Sequence, residues 1–166
     1  MMSAVTDVAS VSLQSPVGPL VVTASPAGLV SIEFAARSVA AMAVVAATPA
    51  GRHVREATAQ LDEYFAGRRR EFDLPPDLRG TPFQVLAWQA LLRIPFGVAV
   101  TYGEQAAAMG RPTAARAVGS ANGRNPVPIV VPCHRVVAAG GGLGGYSSGL
   151  AVKRALLALE GVSVAG

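Results

Sequence analysis

The single cysteine of this 166-residue chain, Cys133, is followed directly by His134, and the last fifty residues carry one carboxylate, Glu160. A lone thiol beside a histidine, with one isolated acid downstream, has two readings. It is a small buried hydrophobe, or it is a nucleophile accompanied by its base and by the group that orients the base. A free thiol has a pKa near 8.5 and is mostly protonated at neutral pH, so the nucleophilic reading needs a base or a cation close by. His134 is the available base. In an extended segment adjacent side chains point to opposite faces, so Cys133 and His134 are expected not to touch, and a bridging water is the simpler path for the proton. Glu160 would then hold the imidazole in the tautomer that accepts from this water, or it simply faces solvent at a helix end.

These residues need elements to hold them. Cys133 lies in the apolar string Ile129 to Val137, read as extended, with the glycine-rich stretch Gly140 to Gly149 behind it and the run Lys153 to Glu160 after that. Upstream, Phe83, Leu86, Ala87, Ala90, Leu91 and Ile94 share one helical face, with Thr81 as N-cap, Pro82 in the first turn, and Pro95 and Gly97 closing the run. Trp88 reads as a core anchor. Gly103 to Met109 and Thr113 to Ala121 form two short helices around Gly110-Arg111-Pro112, the outline of a helix-turn-helix. The second holds one long cation, Arg116, among Ala114, Ala115, Ala117 and Gly119, so it can approach another surface closely. The first part of the chain reads as short strands at Val11–Leu13, Pro19–Thr23 and Gly28–Phe34, then a helix from Arg52 to Ala66 that buries Val54, Ala57, Leu61, Tyr64 and Phe65. Arg68-Arg69-Arg70 reads as a solvated helix end rather than a nucleic-acid contact. The expected organisation is two domains, 1–78 and 79–166. The expected class is α+β: a small antiparallel sheet with a covering helix, then a mostly helical domain.

Composition narrows the function. At 51% hydrophobic the chain can bury a core. The mean hydropathy of +0.42 does not make it a membrane protein, because the longest apolar run, Val39 to Ala47, is far short of the roughly 20 residues that a span requires. Met1 to Ser15 lacks a basic segment followed by a long apolar stretch, so a cytoplasmic location is expected. One cysteine excludes an internal disulfide and a thiolate-rich zinc site. The net charge of +4 is unevenly spread. Residues 1–80 carry seven arginines against eight acids, a net −1, whereas residues 81–166 carry seven basic residues against two acids, a net +5. A basic second half suits a polyanionic partner.

The string Pro132-Cys133-His134-Arg135-Val136 resembles the active-site motif of the O6-alkylguanine-DNA alkyltransferases, also called methylated-DNA–protein-cysteine methyltransferases. The likeness extends, in order and at family spacing, to Gly80-Thr81-Pro82-Phe83-Gln84 with Trp88 and Ile94-Pro95, to Thr101-Tyr102-Gly103, to Ala114-Ala115-Arg116-Ala117-Val118-Gly119, to Asn125-Pro126 and to Gly145-Tyr146-Ser147. Ser15-Pro16-Val17-Gly18-Pro19-Leu20 resembles the N-terminal signature. The resemblance is strong from about Gly80 to Glu160 and weaker before.

The resemblance implies an RNase H-like first domain and a winged-helix-like second one. It implies irreversible, single-turnover transfer of an alkyl group from O6-alkylguanine in double-stranded DNA, and less well from O4-alkylthymine, to Cys133. Water, His134 and Glu160 would supply the thiolate. The nucleotide must be flipped out of the duplex. Arg116 would fill the vacated stack, while Tyr102 would push the phosphate and donate to the base. Asn125 would order the turn before the active-site strand. The carbonyls of Cys133 and Val136 would accept from the guanine amino group and Ser147 would donate toward O6. Pro128 and Tyr146 would form apolar walls, with Ser148 at the pocket mouth where many members have glycine. DNA contacts through the minor groove would come from Arg116, Tyr102, Thr113, Ala114, Ala115, Ala117, Ser120, Ala121 and Arg135. Ala155 stands where many relatives have a large aromatic, which would alter packing under Glu160. No cofactor, metal or membrane is implied, and the protein would act as a monomer, with cooperative binding along DNA left open. Two alternatives are a non-catalytic sensor of alkylated DNA, a kind of relative that lacks the cysteine, and a cysteine hydrolase, under which the basic second half has no explanation.

Overall fold

The computed structural model describes residues 7–35 and 47–164. The apolar run that starts at Val39 lies outside them through residue 46, as do the first six residues. The chain divides into two compact units, Met1–Leu78 and Arg79–Gly166.

In the first unit, β1 (Ala9–Leu13), β2 (Leu20–Ser25) and β3 (Gly28–Phe34) form an antiparallel sheet in the order β1-β2-β3. Alternation decides its faces: Leu20, Val22 and Ala24 are fully buried along β2, and the register pairs Leu13 with Leu20 and Val22 with Ile32. Helix α1 (Pro49–Phe65) covers the buried face with Ala50, Val54, Ala57, Leu61 and Tyr64, at spacings of three and four residues. It starts where the Thr48 side chain accepts from the Gly51 N–H and Pro49 occupies the first turn. The segment after α1 returns to the sheet: Leu29 N donates to Pro75 O at 2.9 Å and Asp77 N to Leu29 O at 2.7 Å. A side chain at Gly28 would come within 2.1 Å of Pro75 O, so the contact requires glycine there.

In the second unit, α2 (Pro82–Leu91) opens on a reciprocal cap. Thr81 accepts from Gln84 N, and the Gln84 side chain accepts from Thr81 N. Trp88 is the buried anchor, with its indole N–H donated to Ala121 O at 2.8 Å. β4 (Val100–Thr101) leads into α3 (Tyr102–Ala108), whose N-cap is Thr101. A turn follows, and then α4 (Ala115–Gly123). The second helix of the pair thus begins two residues later than the sequence suggests, because Pro112 occupies a turn closed by Ala114 N donating to Arg111 O at 2.9 Å. β5 (Val136–Val137) pairs in parallel with β4, and α5 (Leu150–Leu159) ends the unit. No described helix is long and apolar enough to cross a membrane.

Candidate active site and nucleic-acid interface

The segment that carries Cys133 is built by an asparagine. Asn125 accepts from Val127 N at 3.0 Å and donates to Val131 O at 2.7 Å, closing a tight excursion over Val127–Val131. Within it Ile129 has φ 75°, the one non-glycine residue with positive φ among the described residues. A β-branched side chain there costs of order 1–3 kcal/mol and persists only when its surroundings enforce it. Ile129 is fully buried. The chain leaves this strained turn into a single 3₁₀ turn, Cys133–Arg135, not the extended conformation expected from its apolar run. The backbone bonds Cys133 N to Val131 O and Arg135 N to Pro132 O hold it. Tertiary packing here overrides a pattern that reads as strand.

The 3₁₀ turn sends consecutive side chains to different partners. His134 is fully buried, and its Nε2 lies 2.6 Å from Glu160 Oε2. Because the carboxylate can only accept, Nε2 carries the proton and Nδ1 keeps its lone pair. Nδ1 is buried without a protein partner. Burial pulls the imidazole pKa below its ordinary value, against the upward pull of Glu160, so the ring is neutral near pH 7.

Arg135 corrects one expectation. Its Nε donates to Glu160 Oε1 at 2.7 Å, its Nη2 to Oε2 at 3.1 Å and its Nη1 to Ile94 O at 2.7 Å. The guanidinium also lies 5.9 Å from the Phe96 ring centroid. It is therefore buried and spoken for, not free to meet DNA; it fixes the carboxylate that fixes His134.

Cys133 is 8% exposed and opens onto a cavity of about 290 Å³ lined also by Tyr102, Gly119, Asn122, Gly123, Gly145, Tyr146 and Ser147. Burial raises the thiol pKa, offset in part by the neighbouring Asn125 amide, the charge of Lys153 and the nearby Tyr146 hydroxyl. Tyr146 therefore offers more than the apolar wall expected: burial, together with the neighbouring Cys133, pushes the pKa of its hydroxyl upward. Pro128, Val136 and Ser148 are not among the lining residues. Pro128 is buried in the Asn125 turn, and Val136 is a core residue of β5. Tyr102 packs its ring against Gly119, where an added Cβ would stand 3.6 Å away, and directs its hydroxyl to Gly145 O at 3.5 Å.

Lys153 belongs to this site although its sequence neighbours gave it no role. It is fully buried on α5, donating to Val136 O at 2.6 Å and Gly145 O at 3.0 Å. It thereby ties the glycine-rich segment to β5. Burial lowers its pKa to about 8, and the nearby Cys133 sulfur acts in the opposite sense. A signal was available in its spacing: Lys153, Leu156, Leu157 and Glu160 form one helical face, so a cation and an acid share a buried stripe. Ala155 lies on the exposed side of α5, so the residue at this position does not pack beneath Glu160.

The helix pair presents a different surface. Arg116, Ala117 and Ser120 are exposed on α4, Thr113 is exposed in the preceding turn, and Ala114 and Ala115 are half-buried. Ala121 faces inward, with its carbonyl bound to Trp88, and so leaves the expected DNA-facing set. Among the described residues no group of three or more His, Cys, Asp or Glu is placed to hold a metal ion.

Comparisons with known proteins agree with this arrangement. Residues 10–78 match the family described as "6-O-methylguanine DNA methyltransferase, ribonuclease-like domain", and residues 82–162 match "6-O-methylguanine DNA methyltransferase, DNA binding domain". The chain belongs to the 6-O-methylguanine DNA methyltransferase family. It is 47% identical over 149 residues to the methylated-DNA–protein-cysteine methyltransferase of Mycobacterium leprae, covering 90% of each chain. To the protein of that name from Methanosarcina acetivorans it is 45% identical over 148 residues, covering 89% of this chain and 95% of the other. Its fold is similar to that of Mycobacterium tuberculosis OGT in complex with DNA, at a TM-score of 0.78 and 46% identity over 90% of each chain.

Proposed function

We propose that this protein repairs DNA by moving the alkyl group of O6-alkylguanine onto Cys133, once per molecule. The observation that carries the reading is the setting of Cys133. Its sulfur opens onto a cavity lined by Tyr102, Tyr146 and Ser147, lies beside the cation of Lys153, and follows a turn from which His134 reaches a carboxylate. Family membership supports the substrate.

The steps join this geometry to the roles that the family resemblance implies. The nucleotide leaves the duplex, Arg116 takes its place in the stack, and Tyr102 presses on its phosphate. The thiol proton passes through a water to Nδ1 of His134, and Glu160 stabilises the imidazolium that results. Sulfur then attacks the alkyl carbon from the side opposite O6; the S–C bond forms as the C–O6 bond breaks, and guanine leaves with the electron pair. The Tyr102 hydroxyl hydrogen-bonds N3 as charge develops there, and Ser147 donates toward O6. The Cys133 carbonyl accepts from the amino group with the lone pair left beyond its bond from the Val136 N–H, whereas the Val136 carbonyl, expected to share that role, is buried on Lys153. O4-alkylthymine is the poorer substrate because it lacks that amino group. A thioether has no route back to the thiol within this chain, which makes the protein its own acceptor.

The partner is duplex DNA, bound by a monomer through the exposed face of α4, and its affinity falls with salt. The protein would work in the compartment that holds its DNA. Incubation with duplex DNA containing O6-methylguanine is expected to add one methyl mass to the peptide holding Cys133, in equal molar ratio to the base repaired. An unchanged mass after prolonged incubation rejects the reading.

A further inference from the structure

Two buried amides join the helices of the helix-turn-helix. Gln105 on α3 donates from Nε2 to Asn122 Oδ1 at 3.1 Å, and Asn122 on α4 donates back from Nδ2 to Gln105 Oε1 at 2.7 Å. Gln105 Nε2 also reaches Ala87 O of α2 at 3.2 Å. Both side chains are buried, at 2% and 7% exposure. Apolar side chains of similar volume could fill the same space, so the choice of two amides needs a reason beyond packing. A reciprocal amide pair is directional. It satisfies its donors and acceptors in one relative placement of the two helices, whereas an apolar contact tolerates sliding.

The placement of the pair suggests what that register serves. Gln105 lies three residues after Tyr102 on α3, and Asn122 lies six after Arg116 on α4. The other buried side chains of these two helices are small: Ala106 on α3, Val118 and Ala121 on α4. The N-terminus of α4 has no side-chain cap, unlike the Thr-capped starts of α2 and α3. Arg116 therefore sits in an uncapped first turn, and α4 is held from its far half, through Asn122 and through the Trp88 bond to Ala121 O. Gly119, between the two halves, rests against the Tyr102 ring.

We propose that the Gln105–Asn122 pair is a positioning device that sets Arg116 against Tyr102, so that extrusion of a nucleotide from duplex DNA depends on it more steeply than does the chemistry at Cys133. The inference rests on the repair reading above. An error of an ångström in the spacing of the two residues that act on one nucleotide is enough to cost a large factor in rate.

The test compares alkylation rates of the intact protein by free O6-benzylguanine and by O6-methylguanine in duplex DNA, with melting temperature recorded for each variant. For Gln105→Met the ratio of duplex to free-base rate is expected to fall about tenfold, in the same direction as for Arg116→Ala. The exchange variant Gln105→Asn/Asn122→Gln, which restores an amide pair of the same total length, is expected to bring the ratio back toward wild type. If Gln105→Met does not fold, Gln105→Leu replaces it, since an apolar side chain of similar volume neither donates to nor accepts from Asn122. Equal losses on both substrates, or an exchange variant no better than the single one, overturn the proposal. A wild-type protein inert toward both substrates would instead reject the repair reading.

Discussion

Among the described residues, the unit Met1–Leu78 buries two polar side chains, Ser25 and Gln60, whereas Arg79–Gly166 buries six: Gln105, Asn122, His134, Arg135, Lys153 and Glu160. The two units solve different problems. In the first, one sheet face and one helix stripe exclude water, and the charged groups stay outside. An ion pair there, Arg69 with Glu63 at 3.0 Å, is partly exposed. In the second, core volume is given to ions and amides, each of which must find partners or destabilise the fold. Glu160 takes Arg135 and the Nε2 of His134, and Lys153 takes two carbonyl oxygens, while Nδ1 of His134 is left without a protein partner. A small domain accepts that burden when the buried charges act on something, and here Lys153 acts on the one sulfur.

This contrast breaks most readily at His134. Replacing it with alanine is expected to slow alkyl transfer by about 10²–10⁴-fold in a single-turnover assay, the usual worth of a positioned base. An unaltered rate would make the buried ions of the second unit structural only. Leu61→Ala probes the opposite case in the first unit. It should lower stability by about 2–5 kcal/mol in urea unfolding, through the cavity it leaves, with no change in transfer rate per folded molecule.

Lys153 sharpens the comparison through pH. Its pKa in the folded protein is about 8, below the 10.5 of an exposed lysine. Between those values the unfolded chain holds a proton that the folded one has released, so this group makes stability rise with pH across that window; below about pH 8 its burial cost is present in full. Cys133, whose thiol pKa is raised by burial, acts oppositely in the alkaline range. The difference in melting temperature between wild type and Lys153→Met should therefore shift in favour of wild type from pH 7.5 to 9.5. Iodoacetamide labelling of Cys133 should also move to higher pH in that variant. A pH-independent difference would mean that the lysine is not buried as a cation. The smallest effect belongs to Arg69→Ala, at most about 1 kcal/mol and without effect on rate, because exposed ion pairs contribute little.

Periodicity made the first unit readable, together with α2 and its cap. Alternation along Leu20–Ser25, the three-and-four spacing of Val54, Ala57, Leu61 and Tyr64, and Thr81-Pro82 before a helical run are local signals for local structures. Motif spacing also brought Cys133, His134 and Glu160 forward together, and the structure places His134 against Glu160 across 26 residues. The same reading failed where the partner is remote and polar. An arginine in a basic half looks like a DNA contact until Glu160, 25 residues away, and Ile94, 41 residues away, enclose it.

What the sequence determined by itself is the set of chemical groups and the elements that carry them: one thiol, one adjacent imidazole, one late carboxylate, and a pair of short helices with a single exposed cation. Only the tertiary structure decided which polar groups turn inward. It placed Lys153 and the Tyr146 hydroxyl near the sulfur, turned Arg135 and Ala121 away from the DNA-facing set, and wound an apolar string into a 3₁₀ turn behind a strained Ile129. The physical reason is that the hydrophobic effect is non-directional and leaves a repeating trace along the chain. The burial of a charge depends on donors and acceptors brought in from distant segments, and no local pattern records them.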